Sequence, residues 1–239
     1  MSTALITGAS RGLGHELARA LARQGWDLVI DARSADPLSA AADELRALGR
    51  GTVAAIPGDI SYDEHRHDLV DAAVATGGLD LLVNNASILG PSPQPPIADY
   101  PLDVLLDVYE VNALAPLALT QLALPHLRVS RGTVVNVTSD AAVEAYPGWG
   151  GYGPAKAALD HWTRILAEEE PGLCVYAVDP GDLRTQLHQQ AFPGEDISDR
   201  PEAASAVPGF LALLERRPPS GRYRAADLTG AATAAGGAA

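Results

Sequence analysis

The sequence predicts an α/β protein: a doubly wound parallel sheet of about six or seven strands, with helices on both faces. Three observations predict it. Short apolar runs and longer amphipathic stretches alternate about six times along the chain. The first run opens onto a glycine-rich turn, GASRGLG, and that turn opens onto a helical pattern. Polar or glycine residues then follow one apolar run after another, which gathers them at the carboxyl edge of one sheet, where such folds bind ligands.

Size and composition agree with this reading. The chain has 239 residues, 47% of them hydrophobic, enough for one large core. A single domain over 1–230 is expected, with a disordered tail of small residues over 231–239. The lone cysteine, Cys174, lies in LCVYAV and reads as a buried, inert thiol. No signal-peptide pattern occurs, and no apolar run approaches the roughly 18 residues of a membrane span. A soluble cytoplasmic protein is the expectation. The formal charge of −13 argues against nucleic acid or an anionic membrane as partner. It leaves room for an anionic cofactor, because a few local cations can reverse the field at one site.

Ala4 to Thr7 (ALIT) reads as the first buried strand. Gly8, Gly12 and Gly14 follow, and then a helix with Leu13, Leu17 and Leu21 on one stripe, ended by Gln24 and Gly25. Strand, glycine turn and helix form a cradle for phosphate: helix-start N–H groups face the anion and glycine allows close approach. Leu28 to Asp31 is the second strand, and its end offers both Asp31 and Arg33. In a dinucleotide site an acid here favours a free ribose 2′-hydroxyl and a cation favours a 2′-phosphate. Alternation puts both on one side, so it does not decide between them.

Asp36 to Gly49 reads as an amphipathic helix and Val53 to Ile56 as the third strand, with Asp59 just beyond it. Asp63 to Ala75 reads as a helix. Its His65 and His67, beside Asp63, Glu64 and Asp68, diverge at that spacing and have no completing cysteine or third histidine nearby, so a solvated face is expected and no metal. Leu79 to Val83 is the fourth strand, followed by Asn84-Asn85-Ala86-Ser87 and a proline-rich surface loop, PSPQPP. Tyr100 to Leu127 is helical, with a kink or break expected at Pro116 and Pro125. Asn112 sits in its middle among apolar neighbours and must have hydrogen-bond partners. Thr133 to Val137 is the fifth strand and leads into Ser139. Val175 to Val178 is the sixth and leads into Asp179-Pro180-Gly181-Asp182-Leu183-Arg184-Thr185. From Gln186 to about Val207 the periodicity fails, which suggests a mobile lid over 186–208. The segment GRYRAADL can add an edge strand.

Tyr152 and Lys156 are four residues apart at the start of a helical stretch, so both leave one helix face a turn apart. An ammonium beside a phenol favours the phenolate and should bring the tyrosine pKa down from its usual ~10. Such a tyrosine can donate a proton to a forming alkoxide or take one from an alcohol. Ser139, thirteen residues upstream, can hydrogen-bond a substrate oxygen from a neighbouring strand end.

Taken in order, TGASRGLG (7–14), Asp59-Ile60, NNAS (84–87), Asn112, Ser139, YGPAK (152–156) and PGDLRT (180–185) closely resemble the short-chain dehydrogenase/reductase family. The likeness runs from Ala4 to Thr185. It implies a Rossmann-type sheet and a nicotinamide-dependent oxidoreductase acting on a small carbonyl or alcohol; the alternatives are a cofactor-binding sensor or interaction protein of the same fold without turnover, and an epimerase or dehydratase. It also implies roles: Tyr152 as proton donor or acceptor, Lys156 lowering its pKa and binding the nicotinamide ribose, Ser139 polarising the carbonyl, and Asn112 keeping a water beside Lys156. Gly8, Ser10, Gly12 and Gly14 would wrap the pyrophosphate, and Arg11 and Leu13 of the same turn would also bind the cofactor. Asp59 and Ile60 would meet adenine, Asn84 and Ala86 the middle of the cofactor, and Pro180, Gly181, Leu183 and Thr185 the nicotinamide end. In the family an acid at the position of Ala32 goes with NAD, and arginine at the position of Arg33, aided by a cation at that of Arg11, goes with NADP. The resemblance therefore implies NADP(H) over NAD(H). It also implies a homodimer or homotetramer through the helices starting near Leu102 and Tyr152. Three departures stand out: Ser87 where the family has glycine, the proline-rich insert, and no glycine-rich closing strand motif near the C-terminus.

Overall fold

A computed structural model describes residues 2–230. The expected tail over 231–239 lies outside the described residues. The elements run β1 (Thr3–Ile6), α1 (Gly12–Arg23), β2 (Asp27–Ala32), α2 (Ala35–Leu48), β3 (Val53–Pro57), α3 (Asp63–Ala75) and β4 (Leu81–Asn84). They continue with α4 (Leu102–Tyr109), α5 (Ala115–Ser130), β5 (Thr133–Val137), α6 (Tyr152–Glu169), β6 (Cys174–Asp179), α7 (Gln186–Ala191), α8 (Val207–Arg216), β7 (Gly221–Arg224) and α9 (Ala225–Gly230).

The seven strands form one sheet in the order β3-β2-β1-β4-β5-β6-β7, and every pair is parallel. The chain works outward from β1 to β3, then returns to build on the other side with β4. That reversal leaves a crevice at the carboxyl ends of β1 and β4, where neighbouring connections leave in opposite directions.

Alternation along each strand explains why the runs are apolar almost throughout. Ile6, Ile30, Val83, Val135 and Tyr176 face one side and pack with Leu17 and Leu21 of α1 and Phe210 and Leu213 of α8. Their neighbours Leu5, Val29, Leu82, Val134 and Val175 face the other side and pack with Leu69 of α3 and Leu119 and Leu127 of α5. Among the described residues no helix is long and apolar enough to cross a membrane.

The structure corrects four local expectations. The long helix from Tyr100 does break, but at a wide π turn over Glu110–Leu114, not at a proline. Pro116 sits harmlessly in the first turn of α5, and Pro125 lies inside that helix without ending it. Gln121, whose carbonyl Pro125 leaves without a helical donor, is exposed and can be solvated. The stretch 186–208 is not uniformly irregular: it contains α7 and runs into α8, whose apolar residues (VPGFLALLER) were not recognised as a helix. Cys174 is only partly buried. The fourth concerns α3: His67 is solvated, but His65 and Arg66 are buried. The possible edge strand does form, as β7 beside β6.

Gly209 of α8 is buried against α9, and a Cβ there would overlap the Ala225 carbonyl. Alanine gains about 1 kcal/mol of helix propensity over glycine, while overpacking against backbone costs about 1–3 kcal/mol. Gly209→Ala should therefore lower stability by about 1 kcal/mol net, read as a lower urea midpoint with an unchanged m-value.

Candidate active site

A cleft of about 790 Å³ opens along the carboxyl edge of the sheet. Of the residues expected at a site, all line it except Gly14, Asn84 and Asn112.

Its floor is built at Gly8. This residue has φ +66°, and a Cβ would come within 2.9 Å of the Ala86 Cα, so only glycine fits. The Thr7 hydroxyl accepts from the backbone N–H groups of Asn85 and Ala86, both at 2.9 Å. The Asn85 amide donates to the carbonyls of Thr7 and Gly8 at 2.8 and 3.1 Å. Gly14 serves this junction instead of lining the cleft: a Cβ there would sit 2.7 Å from the Gly8 carbonyl oxygen. Helix α1 begins without a side-chain cap at Arg11. Its first-turn N–H groups are therefore left for an anion in the cleft, beside Ser10, Gly12 and Leu13. The Arg11 guanidinium donates to Gln186, joining the glycine turn to α7.

Asp31 and Arg33 part company. Asp31 is buried; its Oδ1 accepts from the Gly8 N–H at 2.6 Å, and its Oδ2 lies 3.0 Å from His65 Nε2. His65 is 7% exposed and packs against Gly58, so its expected place on a solvated face was wrong. Nothing in the sequence pattern of α3 separated His65 from His67; only the neighbouring strand does so. Arg33 is exposed at the rim, with Asp59 and Ile60 across from it on the cleft wall. The Asp59 carboxylate accepts from the Ser61 N–H and hydroxyl.

Two of the expected residues turn their side chains into the protein instead of lining the cleft. The Asn84 amide is buried behind the sheet edge, donating to Thr120 and Asn136 at 3.1 and 2.7 Å, while Asn85 and Ala86 face the cleft. Asn112 is fully buried in the π turn; its Oδ1 accepts from Ser87 Oγ and Ile88 N–H, and its Nδ2 donates to the Ile88 carbonyl. That side chain clamps the loop after β4, using both acceptor positions of Oδ1 and one of the two Nδ2 hydrogens. Ser87 is the residue that sequence reasoning noted only as a departure. Its hydroxyl binds Asn112 at 3.0 Å and reaches the Tyr152 phenol.

The chemical groups meet where β5, α6 and β6 converge. Ser139 caps a short turn over Asp140–Ala142; its hydroxyl donates to Asp140 at 3.0 Å and accepts from the Ala141 N–H. Tyr152 and Lys156 are both buried on the inner face of α6. Lys156 Nζ donates to the Val137 carbonyl at 2.9 Å and lies 5.6 Å from the centre of the Tyr152 ring. Trp149 meets Tyr152 edge-on at 5.7 Å and also faces Phe192, forming an aromatic wall. On the far side, the Gly181 N–H donates to Asp179, Leu183 is buried, and Thr185 caps α7 by accepting from the His188 N–H.

Burial overrides the expected cation effect on the phenol. Desolvation pushes Tyr152 up to about 12, with the Asp179 and Asp140 carboxylates adding to it and the Ser87 hydroxyl opposing it. Desolvation also brings Lys156 down from 10.5 to about 8, against the pull of Asp160. The cleft therefore holds a protonated phenol at neutral pH, next to an ammonium that is poorly solvated. Such a pair can donate a proton to a developing alkoxide.

A family model described as short chain dehydrogenase matches residues 2–196. The chain is 34% identical to a short chain dehydrogenase of Penicillium thymicola, over 90% of this chain and 86% of that one. It is similar to a solved alcohol dehydrogenase of Thermococcus sibiricus in complex with 5-hydroxy-NADP: TM-score 0.85, 27% identity, 94% of this chain and 95% of that one. It is also similar to a chain described as a short chain dehydrogenase, from Escherichia coli CFT073 in complex with NADPH: TM-score 0.86, 30% identity, 94% and 96% covered.

The lowered lysine has a thermodynamic consequence. Between pH 8 and 10.5 the unfolded chain holds this proton and the folded chain does not, so the lysine's contribution to stability rises with pH across that window. Against Lys156→Met, the wild type should gain roughly 2–3 kcal/mol between pH 7 and pH 10, measured as the change in their difference in unfolding free energy. A difference independent of pH would contradict the assigned depression.

Proposed function

The chain belongs to the short chain dehydrogenase family, and on that premise we propose that it is an NADPH-dependent carbonyl reductase of small ketones or aldehydes, running as an alcohol dehydrogenase in reverse. The observation that carries this reading is the meeting of Ser139, Tyr152 and Lys156 at one end of a cleft whose other end is an uncapped helix start and Arg33.

The nicotinamide cofactor supplies the hydride. This chain's residues do the rest. When substrate enters, the Ser139 hydroxyl turns its one proton from Asp140 to the substrate carbonyl oxygen and aims that oxygen at Tyr152. The phenol, protonated at neutral pH, gives its proton to that oxygen as the alkoxide forms. The Lys156 ammonium stabilises the phenolate left behind and favours its reprotonation. Trp149 and the burial of α6 keep water from the reacting face, which strengthens each of these interactions. Asn112 and Ser87 hold the loop that carries the phenol's second neighbour. Most of the rate enhancement then comes from orientation plus a placed acid.

The preference for NADPH is supported by what happens to the two charges at the end of β2. Asp31 is committed to Gly8 and His65, while Arg33 keeps its fork free at the rim for a 2′-phosphate. The NADP-type ligands of the two similar structures point the same way. A homodimer or homotetramer is part of the proposal, formed over the helices that begin near Leu102 and Tyr152. Leu102 and Leu106, both 72% exposed and a turn apart on α4, supply an apolar face for it.

A panel of ketones and aldehydes followed by NADPH absorbance tests the activity. Tyr152→Phe should keep NADPH binding but lose turnover about 10²–10⁴-fold; undiminished turnover would remove the assigned role. Arg33→Ala should cut the NADPH-over-NADH ratio of kcat/KM about tenfold or more, whereas an indifferent ratio would sink the cofactor preference.

A further inference from the structure

Arg222 lies on β7, beyond the residues that the family model matches. One guanidinium there reaches three separate elements behind the reacting groups. Its Nε donates to Asp160 Oδ2 at 3.0 Å. Its Nη2 donates to the backbone carbonyl of Ser139 at 3.0 Å and to Asp179 Oδ2 at 3.2 Å. Asp160 stands one turn beyond Lys156 on α6, and Asp179 ends β6. Both carboxylates are nearly sealed from solvent, with side chains 9% and 4% exposed, and the arginine is 25% exposed. Burying two carboxylates together is strongly unfavourable unless a cation lies between them. Only arginine presents a planar fork able to serve three acceptors at once.

We infer that Arg222 is a positioning residue for the redox step: by docking, the edge strand β7 fixes the Ser139 backbone and screens the two carboxylates that lie behind Lys156 and Tyr152. The inference rests on the carbonyl-reduction reading above.

The electrostatic surroundings define the sign of the effect. Lys156 faces Asp160, and Tyr152 faces Asp179, Asp140 and the Ser87 hydroxyl. Asp160 faces the Thr138 hydroxyl, Arg222 and Lys156. Arg224, also on β7, stands 3.8 Å from Asp179 and is mostly exposed, so it screens that carboxylate less. With Arg222 gone, the Asp160 and Asp179 charges act on the lysine and the phenol unscreened. Both charges favour the protonated forms, so deprotonation moves to higher pH. The Ser139 carbonyl also loses its side-chain donor, and the serine is free to drift from the substrate oxygen.

The test uses the full chain and compares Arg222→Gln, Arg222→Lys and Asp160→Asn. Both arginine variants should lose at least about tenfold in kcat, because neither replacement can span the three acceptors, while the KM for NADPH changes less than about threefold. The alkaline limb of the pH–rate profile should move up by about half to one unit in Arg222→Gln and stay in place in Arg222→Lys, which keeps the charge. It should move down in Asp160→Asn, which keeps the shape and removes one anion. A folded Arg222→Gln with wild-type kcat and an unmoved limb overturns the inference. If Arg222→Gln fails to fold, Arg222→Lys with full kcat, or Asp160→Asn with an unmoved limb, overturns it. Tyr152→Phe separates the two levels. Full activity in that variant removes the underlying reading, whereas its inactivity beside an unaffected Arg222→Gln removes only the role of Arg222.

Discussion

No side chain fits at Gly8, and the rest of the cleft depends on that exclusion. Its N–H is held by Asp31 from the end of β2, and its carbonyl by Asn85 from the end of β4. Its missing Cβ lets the Ala86 backbone approach. Three strand ends are thereby tied at one point, and the pair of Asp31 with His65 extends the tie to α3. A polar knot of this kind is stable only if every member is satisfied, because a half-paired carboxylate under the sheet edge would be costly. The crevice between β1 and β4 can open above it because the backbone below is so closely held.

The opposite end of the cleft is organised by burial instead of by a knot. Helix α6 carries Tyr152 and Lys156 inward, and both lose water. Desolvation acts on each in the direction of its neutral form: the phenol keeps its proton and the ammonium tends to lose its own. An ammonium stabilises a phenolate only when it remains charged and close. Here it leans on the Val137 carbonyl, and Asp160 supports its charge from behind. The resting site is thus set for giving a proton. The same burial that raises the phenol keeps it protonated at neutral pH.

Asn112 and Ser87 show how a polar residue can serve a site without facing it. The π turn swings Asn112 out of helical register, so that its amide pairs with the loop after β4 in place of solvent. Ser87, where the family resemblance led to expect glycine, takes one of those bonds and stands beside the phenol. The wide turn, the asparagine and the serine form one unit that places the wall of the cleft opposite α6. Wide turns of this type are common where a helix passes a functional site.

The order of the strands, the glycine turn, the place of Ser139 just after β5 and the pairing of Tyr152 with Lys156 at the start of a helix were legible from the residues alone. They depend on local periodicity and spacing, which a linear sequence carries. Helix α8 was missed because its apolar residues follow a proline- and glycine-marked polar stretch that hides its start. The roles of Asp31, His65, Asn84 and Asn112 were not legible, because each is decided by a partner between 24 and 52 residues away. The direction of the Tyr152 shift was not legible either: spacing reveals the neighbouring cation but not the loss of water, and desolvation is the largest cause of the upward shift. Sequence by itself determined which chemical groups stand at the carboxyl edge. Tertiary structure decided which of them are free to act, since hydrogen-bond partnership and solvent exposure are properties of the packed chain.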